Sequence, residues 1–183
     1  MKGVVNKSKL VLVGYRATGK STLGKLLAER WGFKFVDTDA LIEERAGRTI
    51  AQIFARDGEQ GFRDLEERVV ADVLNSPNPL VVATGGGAPL RESTRRLMKE
   101  RGVVVRLVAS VETISRRMLG DEGTATRRPS LTGDSSPVAE IKRVLTAREP
   151  IYREVATFEV ETDDKTLDEL VEEIADRAPV FFI

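Results

Sequence analysis

Apolar residues in this chain fall in short continuous runs, separated by longer stretches in which they recur every three or four positions. The first run, Leu-Val-Leu-Val at residues 10–13, has no polar residue alternating within it, as expected of a strand buried on both faces. It ends at Gly14. From Lys20 the spacing becomes helical: Leu23, Leu26, Leu27 and Trp31 share one face, and Gly32 stops it. Residues 33–36, 80–83, 103–108 and 157–160 supply four further strand candidates, and residues 110–119 and 167–177 read as helices. Five strands separated by helices predict an α/β fold of three layers, αβα, around a five-stranded parallel sheet. No repeat, low-complexity tract or composition shift divides the 183 residues, which read as one domain. Residues 120–137 are irregular, rich in glycine, threonine and serine, and longer than most connections in a compact unit; they read as a lid.

The sharpest local signal sits between the first strand and the first helix. Gly14-Tyr15-Arg16-Ala17-Thr18-Gly19-Lys20-Ser21 matches G-x-x-x-x-G-K-[ST], the phosphate-binding P-loop. A chance match somewhere in a chain of this length is on the order of 1% at ordinary residue frequencies. The glycines let successive backbone N–H groups point into one concavity, and the positive end of the following helix faces the same place. Lys20 adds a mobile charge for the β- and γ-phosphates, and the Ser21 hydroxyl is a magnesium ligand candidate. Asp37 and Asp39 follow the second strand, on the side of an open parallel sheet where ligands bind. One carboxylate could enter a magnesium shell and the other accept a proton; alternatively, either simply caps a helix starting at Ala40. Thr84-Gly85-Gly86-Gly87 closes the third strand, allowing either close approach of backbone to a ligand or a left-handed turn before a helix at Pro89. Arg63, Arg128 and Arg148 are by themselves three among many arginines, most of which belong on a solvated surface.

Composition narrows the chemistry. Without histidine the commonest general base and zinc ligand are missing, and without cysteine there are no disulfides, thiolate nucleophiles or cysteine-held zinc. Proton transfer falls to a carboxylate, lysine or tyrosine. The 29 basic and 29 acidic side chains cancel, so no net field favours nucleic acid or an anionic membrane. Residues 1–9 are basic, but the apolar run behind them is four residues long, which predicts neither a signal peptide nor a membrane span. The expected setting is cytoplasmic, and the expected state a monomer.

Taken together, the P-loop, Asp37-Thr38-Asp39, Gly58-Glu59-Gln60-Gly61-Phe62-Arg63 with Glu66, Ala83-Thr84-Gly85-Gly86-Gly87, Arg128-Pro129, and Arg148-Glu149-Pro150-Ile151-Tyr152 resemble the shikimate kinase family in order and spacing. The resemblance spans residues 9–162. It implies a P-loop NTPase fold, similar to the nucleoside-monophosphate kinases, with a lid loop, and ATP-dependent phosphorylation of a shikimate ring hydroxyl with Mg2+ as cofactor. By position it implies that Ala17, Thr18, Gly19, Lys20, Ser21 and Thr22 hold the nucleotide. Asp37 would meet the metal through water, and Asp39 would orient or deprotonate the attacking hydroxyl. Arg63 and Arg148 would grip the substrate carboxylate, a task suited to paired guanidinium donors, while Gly86 would offer its backbone N–H. Arg128 would close with the lid onto the phosphates, and Arg117 and residues 162–165 would border the adenine. Where family lids often read Arg-Pro-Leu-Leu, this chain has Arg128-Pro129-Ser130-Leu131, and the apolar tail at residues 179–183 fits no family motif. Two other readings remain: a kinase of a sugar acid such as gluconate, and a nucleotide-binding module without transfer activity.

Overall fold

The computed structural model of the chain describes residues 8–120 and 136–178. Five strands, β1 (Lys9–Val13), β2 (Lys34–Asp37), β3 (Leu80–Ala83), β4 (Gly102–Val108) and β5 (Phe158–Glu161), form one sheet in the order β2-β3-β1-β4-β5, every neighbouring pair parallel. Around it lie α1 (Lys20–Trp31), α2 (Thr38–Ala46), α3 (Ile50–Asn75), α4 (Glu92–Arg101), α5 (Val111–Gly120), α6 (Pro137–Val155) and α7 (Leu167–Arg177). None of these helices is long and apolar enough to cross a membrane.

The sheet is covered on both faces because alternate side chains of a strand point opposite ways and, in its central strands, both sets are mainly apolar. Leu10 and Leu12 of β1 pack with Leu23 and Leu27 of α1 and Leu170, Val171 and Ile174 of α7. Val11 and Val13 pack on the other side with Val70 and Leu74 of α3, Met98 of α4 and Val155 of α6. Each such side chain withdrawn from water contributes roughly 1.5–3 kcal/mol before the entropy of ordering is set against it.

Two strands begin one residue later than their apolar runs predict, for local reasons. Gly32 takes a left-handed conformation (φ 66°), and the Phe33 N–H closes the end of α1 on the Ala28 carbonyl, so β2 starts at Lys34. Thr157 is already tied to Val104 through both its N–H and its hydroxyl, but the β5 ladder starts at Phe158. Helix α3 opens with a reciprocal Thr49–Gln52 capping box and is broken at Gly58 (φ 69°, ψ −178°), a conformation open essentially to glycine alone.

Register brings the functional loops together. Ala83 of β3 is paired with Leu12 of β1 on one side and with Asp37 of β2 on the other. The segments that follow these strands, the P-loop, the start of α2 and the glycine triplet, therefore leave the sheet at one edge and at nearly one level. At Gly14 the backbone has φ 140°, and an added Cβ would lie 2.6 Å from the Leu107 carbonyl oxygen of the neighbouring strand. Gly14→Ala should consequently destabilise the fold by about 2 kcal/mol or more, lowering Tm by roughly 4–8 °C in a domain of this size. Thermal unfolding followed by circular dichroism checks this; an unchanged Tm would show that the contact between the loop after β1 and β4 gives way freely.

Candidate active site

The P-loop folds into an open cradle. Ala17 (φ 60°) and Gly19 (φ 97°) are both left-handed, and the Thr18 hydroxyl donates to the Tyr15 carbonyl at 2.8 Å. Lys20 curls back over the loop, donating to the carbonyls of Gly14 (2.9 Å) and Tyr15 (2.6 Å). Helix α1 begins with neither a side-chain cap nor an acidic residue in its first turn, so its N-terminal N–H groups and positive dipole end remain directed at the cradle. The cavity in front, about 1080 Å³ of space continuous with solvent, is lined by Ala17, Gly19, Lys20, Ser21, Thr22, Asp37, Asp39 and Thr84 among others. Among the described P-loop residues expected to hold a nucleotide, Thr18 is the one that does not line this cavity; it is 2% exposed.

Asp37 and Asp39 do not share a face by strand alternation. Helix α2 starts at Thr38, two residues earlier than Ala40, and Asp37 is its N-cap: its Oδ1 accepts from the N–H groups of Asp39 (3.0 Å) and Ala40 (3.3 Å). The other oxygen, Oδ2, accepts from the Ser21 hydroxyl at 2.6 Å. Capping and a place in the phosphate cavity are thus roles of one carboxylate. Asp39 lies in the first turn of α2 and lines two adjoining cavities at once.

The second cavity, about 500 Å³ of space continuous with solvent, is lined by Asp39, Arg63, Glu66, Arg148 and all three glycines of the triplet, with Ile50, Phe54 and Phe62 as its apolar wall. Residues on both sides of the Gly58 break contribute to it, and Phe54 and Phe62 stack at 4.6 Å between centroids. The glycines are not there for a left-handed turn, since none of the three has positive φ. Close approach explains Gly85 and Gly87. A Cβ on Gly85 would lie 2.6 Å from Asp39 Oδ1 and 2.7 Å from Glu66 Oε1, and one on Gly87 would collide with the Arg63 guanidinium. The Gly86 carbonyl accepts from both Arg148 Nη1 (3.1 Å) and the Tyr152 hydroxyl (2.6 Å). Arg148 and Tyr152, one turn apart on α6, reach the same atom. Burial pushes the Tyr152 hydroxyl above its usual range, which keeps it a donor.

Arg63 donates to Glu66 at 2.6 Å, and its buried Nε has no acceptor among the described residues, leaving guanidinium donors for a ligand. On the nucleotide side, Arg117 donates to the carbonyls of Ala17 (3.3 Å) and Thr162 (3.2 Å) and to the Thr162 hydroxyl (3.2 Å), which places it beside the P-loop. Arg128, most of the expected lid and the 179–183 tail lie outside the described residues. Sequence reasoning missed Tyr15, Arg16, Ile50 and Phe54 as cavity residues and gave Tyr152 no role. The helical recurrence of Ile50, Phe54 and Phe62 was a usable signal for an apolar wall, whereas the Tyr152 contact depends on tertiary structure.

Glu66 is 3% exposed, and burial raises its carboxyl above the ordinary 4.5 despite the opposing pull of Arg63. The folded chain therefore holds this proton more tightly than the unfolded chain. The stability the group contributes is complete below about 4.5 and is lost as pH rises through the raised value. In Glu66→Gln the position no longer titrates. The unfolding free energy of the variant relative to wild type should accordingly move in the variant's favour between about pH 4 and about pH 7, read from urea unfolding at several pH values. Movement the other way would mean that pairing with Arg63 outweighs the cost of burial.

A family model described as Shikimate kinase matches residues 16–179. The chain is 43% identical over 175 residues to a shikimate kinase of Rhodopirellula baltica, covering 96% of this chain and 92% of that one. It is 46% identical over 166 residues to one of Geobacter sulfurreducens, covering 91% and 88%. Among solved structures, shikimate kinase from Acinetobacter baumannii in complex with shikimate superposes with a TM-score of 0.87 at 35% identity, covering 96% of this chain and 94% of that one. A P-loop cavity joined at Asp39 to an arginine-bearing pocket is thus accompanied by similarity along nearly the whole chain, and the chain belongs to the shikimate kinase family.

Proposed function

We propose that this protein transfers the γ-phosphoryl group of ATP directly to a ring hydroxyl of shikimate, giving shikimate 3-phosphate on the route to aromatic amino acids. The observation that carries the reading is the position of Asp39, which borders both the P-loop cavity and the pocket holding Arg63 and Arg148. A substrate whose carboxylate is gripped by the two arginines would present its far hydroxyl to Asp39. That carboxylate would orient the hydroxyl and accept its proton as the oxygen attacks phosphorus. Phe54 and Phe62 offer a flat apolar wall suited to a carbocyclic ring better than to an open-chain sugar acid. With no histidine or cysteine in the chain, a phosphohistidine or phosphocysteine intermediate has no carrier, in keeping with in-line transfer.

Lys20 and the N-terminal N–H groups of α1 would hold the β- and γ-phosphates, with Arg128 joining from the lid. The Ser21 hydroxyl, and Asp37 through water, would hold a magnesium ion, which when bound would supply charge neutralisation at the β- and γ-phosphates. Arg117 and residues 162–165 are the proposed border of the adenine. We place the enzyme in the cytoplasm, acting as a monomeric single domain without nucleic-acid or membrane partners.

A coupled ADP-release assay with ATP and magnesium tests the reading. Turnover should require shikimate, with gluconate inactive, and should fall by roughly 100-fold or more in Asp39→Asn and in Lys20→Ala. Turnover with gluconate alone, or ATP hydrolysis indifferent to any acceptor, would overturn it. Arg148→Ala should act chiefly on binding, raising KM for shikimate by roughly 10- to 100-fold while kcat changes far less; an unchanged KM would remove Arg148 from the carboxylate clamp.

A further inference from the structure

Four residues line both cavities: Arg16, Asp39, Ile50 and Gly86. Two of them are charged, and they have opposite sign. Lys20 faces only the phosphate cavity, whereas Arg63 and Arg148 face only the acceptor pocket. The junction, where phosphorus must pass from one oxygen to the other, therefore carries one carboxylate and one guanidinium. Asp39 meets the chemical need of the attacking hydroxyl. Arg16 lines the same junction, and in phosphoryl transfer negative charge spreads over the equatorial oxygens of the transferring group.

Arg16 is not a solvated surface arginine. Its side chain is 13% exposed, and Nη2 donates at 2.7 Å to Glu140, whose own side chain is 6% exposed. Glu140 lies in the first turn of α6, so the pair ties the P-loop to a helix 124 positions away in the sequence. The guanidinium also packs over the Tyr15 ring, 5.5 Å from its centroid, and its buried Nε has no acceptor among the described residues. One corner of the fork is thus anchored, on a residue that borders both cavities. A held guanidinium needs little reorganisation when charge develops beside it, the condition under which such a group stabilises a transition state more than a ground state.

From this geometry we infer that Arg16 is a catalytic residue of the phosphoryl transfer, contacting the transferring group at the junction of the two cavities, with Glu140 as its positioning residue. The inference rests on the kinase reading above and adds to it a cation at a variable position of the P-loop pattern.

The test begins with wild-type turnover of shikimate; its absence would sink the kinase reading itself, independently of Arg16. Given turnover, Arg16→Met, which keeps the length and apolar stem but not the charge, should lower kcat by roughly 100-fold or more while KM for ATP and for shikimate stay within about threefold. Arg16→Ala should recover part of its kcat when guanidinium ion is added, compared with sodium at equal ionic strength. Glu140→Gln, which retains an acceptor but not the charge, should reduce kcat by less than Arg16→Met and leave both KM values unchanged. A kcat within about threefold of wild type in Arg16→Met would overturn the proposal, as would a loss confined to KM for shikimate, which would make Arg16 a third member of the carboxylate clamp. Equal losses of Tm in Arg16→Met and Glu140→Gln without loss of kcat would reduce the pair to a structural tie. Should Arg16→Met not fold, Arg16→Lys supplies the same comparison, with kcat expected to fall because a point charge cannot span two oxygens as the planar fork does.

Discussion

The site exists because the backbone at three glycines lies closer to its neighbours than a Cβ allows. Gly14 meets the β4 carbonyl of Leu107, Gly85 meets the carboxylates of Asp39 and Glu66, and Gly87 meets the Arg63 guanidinium. At Gly85 and Gly87 the missing side chain makes room for functional groups rather than for an unusual backbone. Three charged side chains that line the second cavity, Asp39, Glu66 and Arg63, can then crowd around one short loop. Parallel pairing makes the approach possible: β1, β3 and β2 are in register at Leu12, Ala83 and Asp37, so the segments leaving them meet without long excursions.

Much of this was legible in the residue order. Continuous or nearly continuous apolar runs gave the three central strands, because a sheet covered on both faces leaves little polar alternation, while the edge strands carried polar residues; the P-loop announced itself through glycines whose spacing has a single common use. Strand ends were displaced by a residue where a helix cap or a side-chain bond took over the first position, as at Phe33 and Thr157. The choice posed for Asp37, cap or cavity residue, was a false alternative, since a carboxylate has two oxygens and this one uses each differently. What could not be read were contacts whose partners are distant in sequence. Arg16 with Glu140 and Tyr152 with Gly86 are separated by 124 and 66 positions, and neither partner's neighbourhood advertises the other.

Those distant contacts converge on α6, which carries Glu140 to the P-loop, and Arg148 and Tyr152 to Gly86. Helix rotation is therefore a functional variable: a small turn about its axis would withdraw both donors from the Gly86 carbonyl together. Arg106 of β4 restrains that rotation. It is 4% exposed, donates to Glu149 and to Glu159 (2.6 Å), and lies 5.5 Å from the centroid of the Tyr152 ring. Glu149 is the immediate neighbour of Arg148, so an anchor on the sheet side of the helix is transmitted to the cavity side within one residue.

An ion network built on a buried guanidinium is weak evidence for stability, because desolvating the arginine, and in part its two partly exposed carboxylates, consumes much of what their attraction returns. An apolar residue at position 106 would fill the same interface at comparable free energy, but would let α6 settle at whichever rotation packs best. Directional bonds from one guanidinium to carboxylates on two different elements admit far fewer rotations. The polar network under Tyr152 therefore makes most sense as a means of setting position, at little or no gain in stability, for the helix on which the acceptor pocket depends.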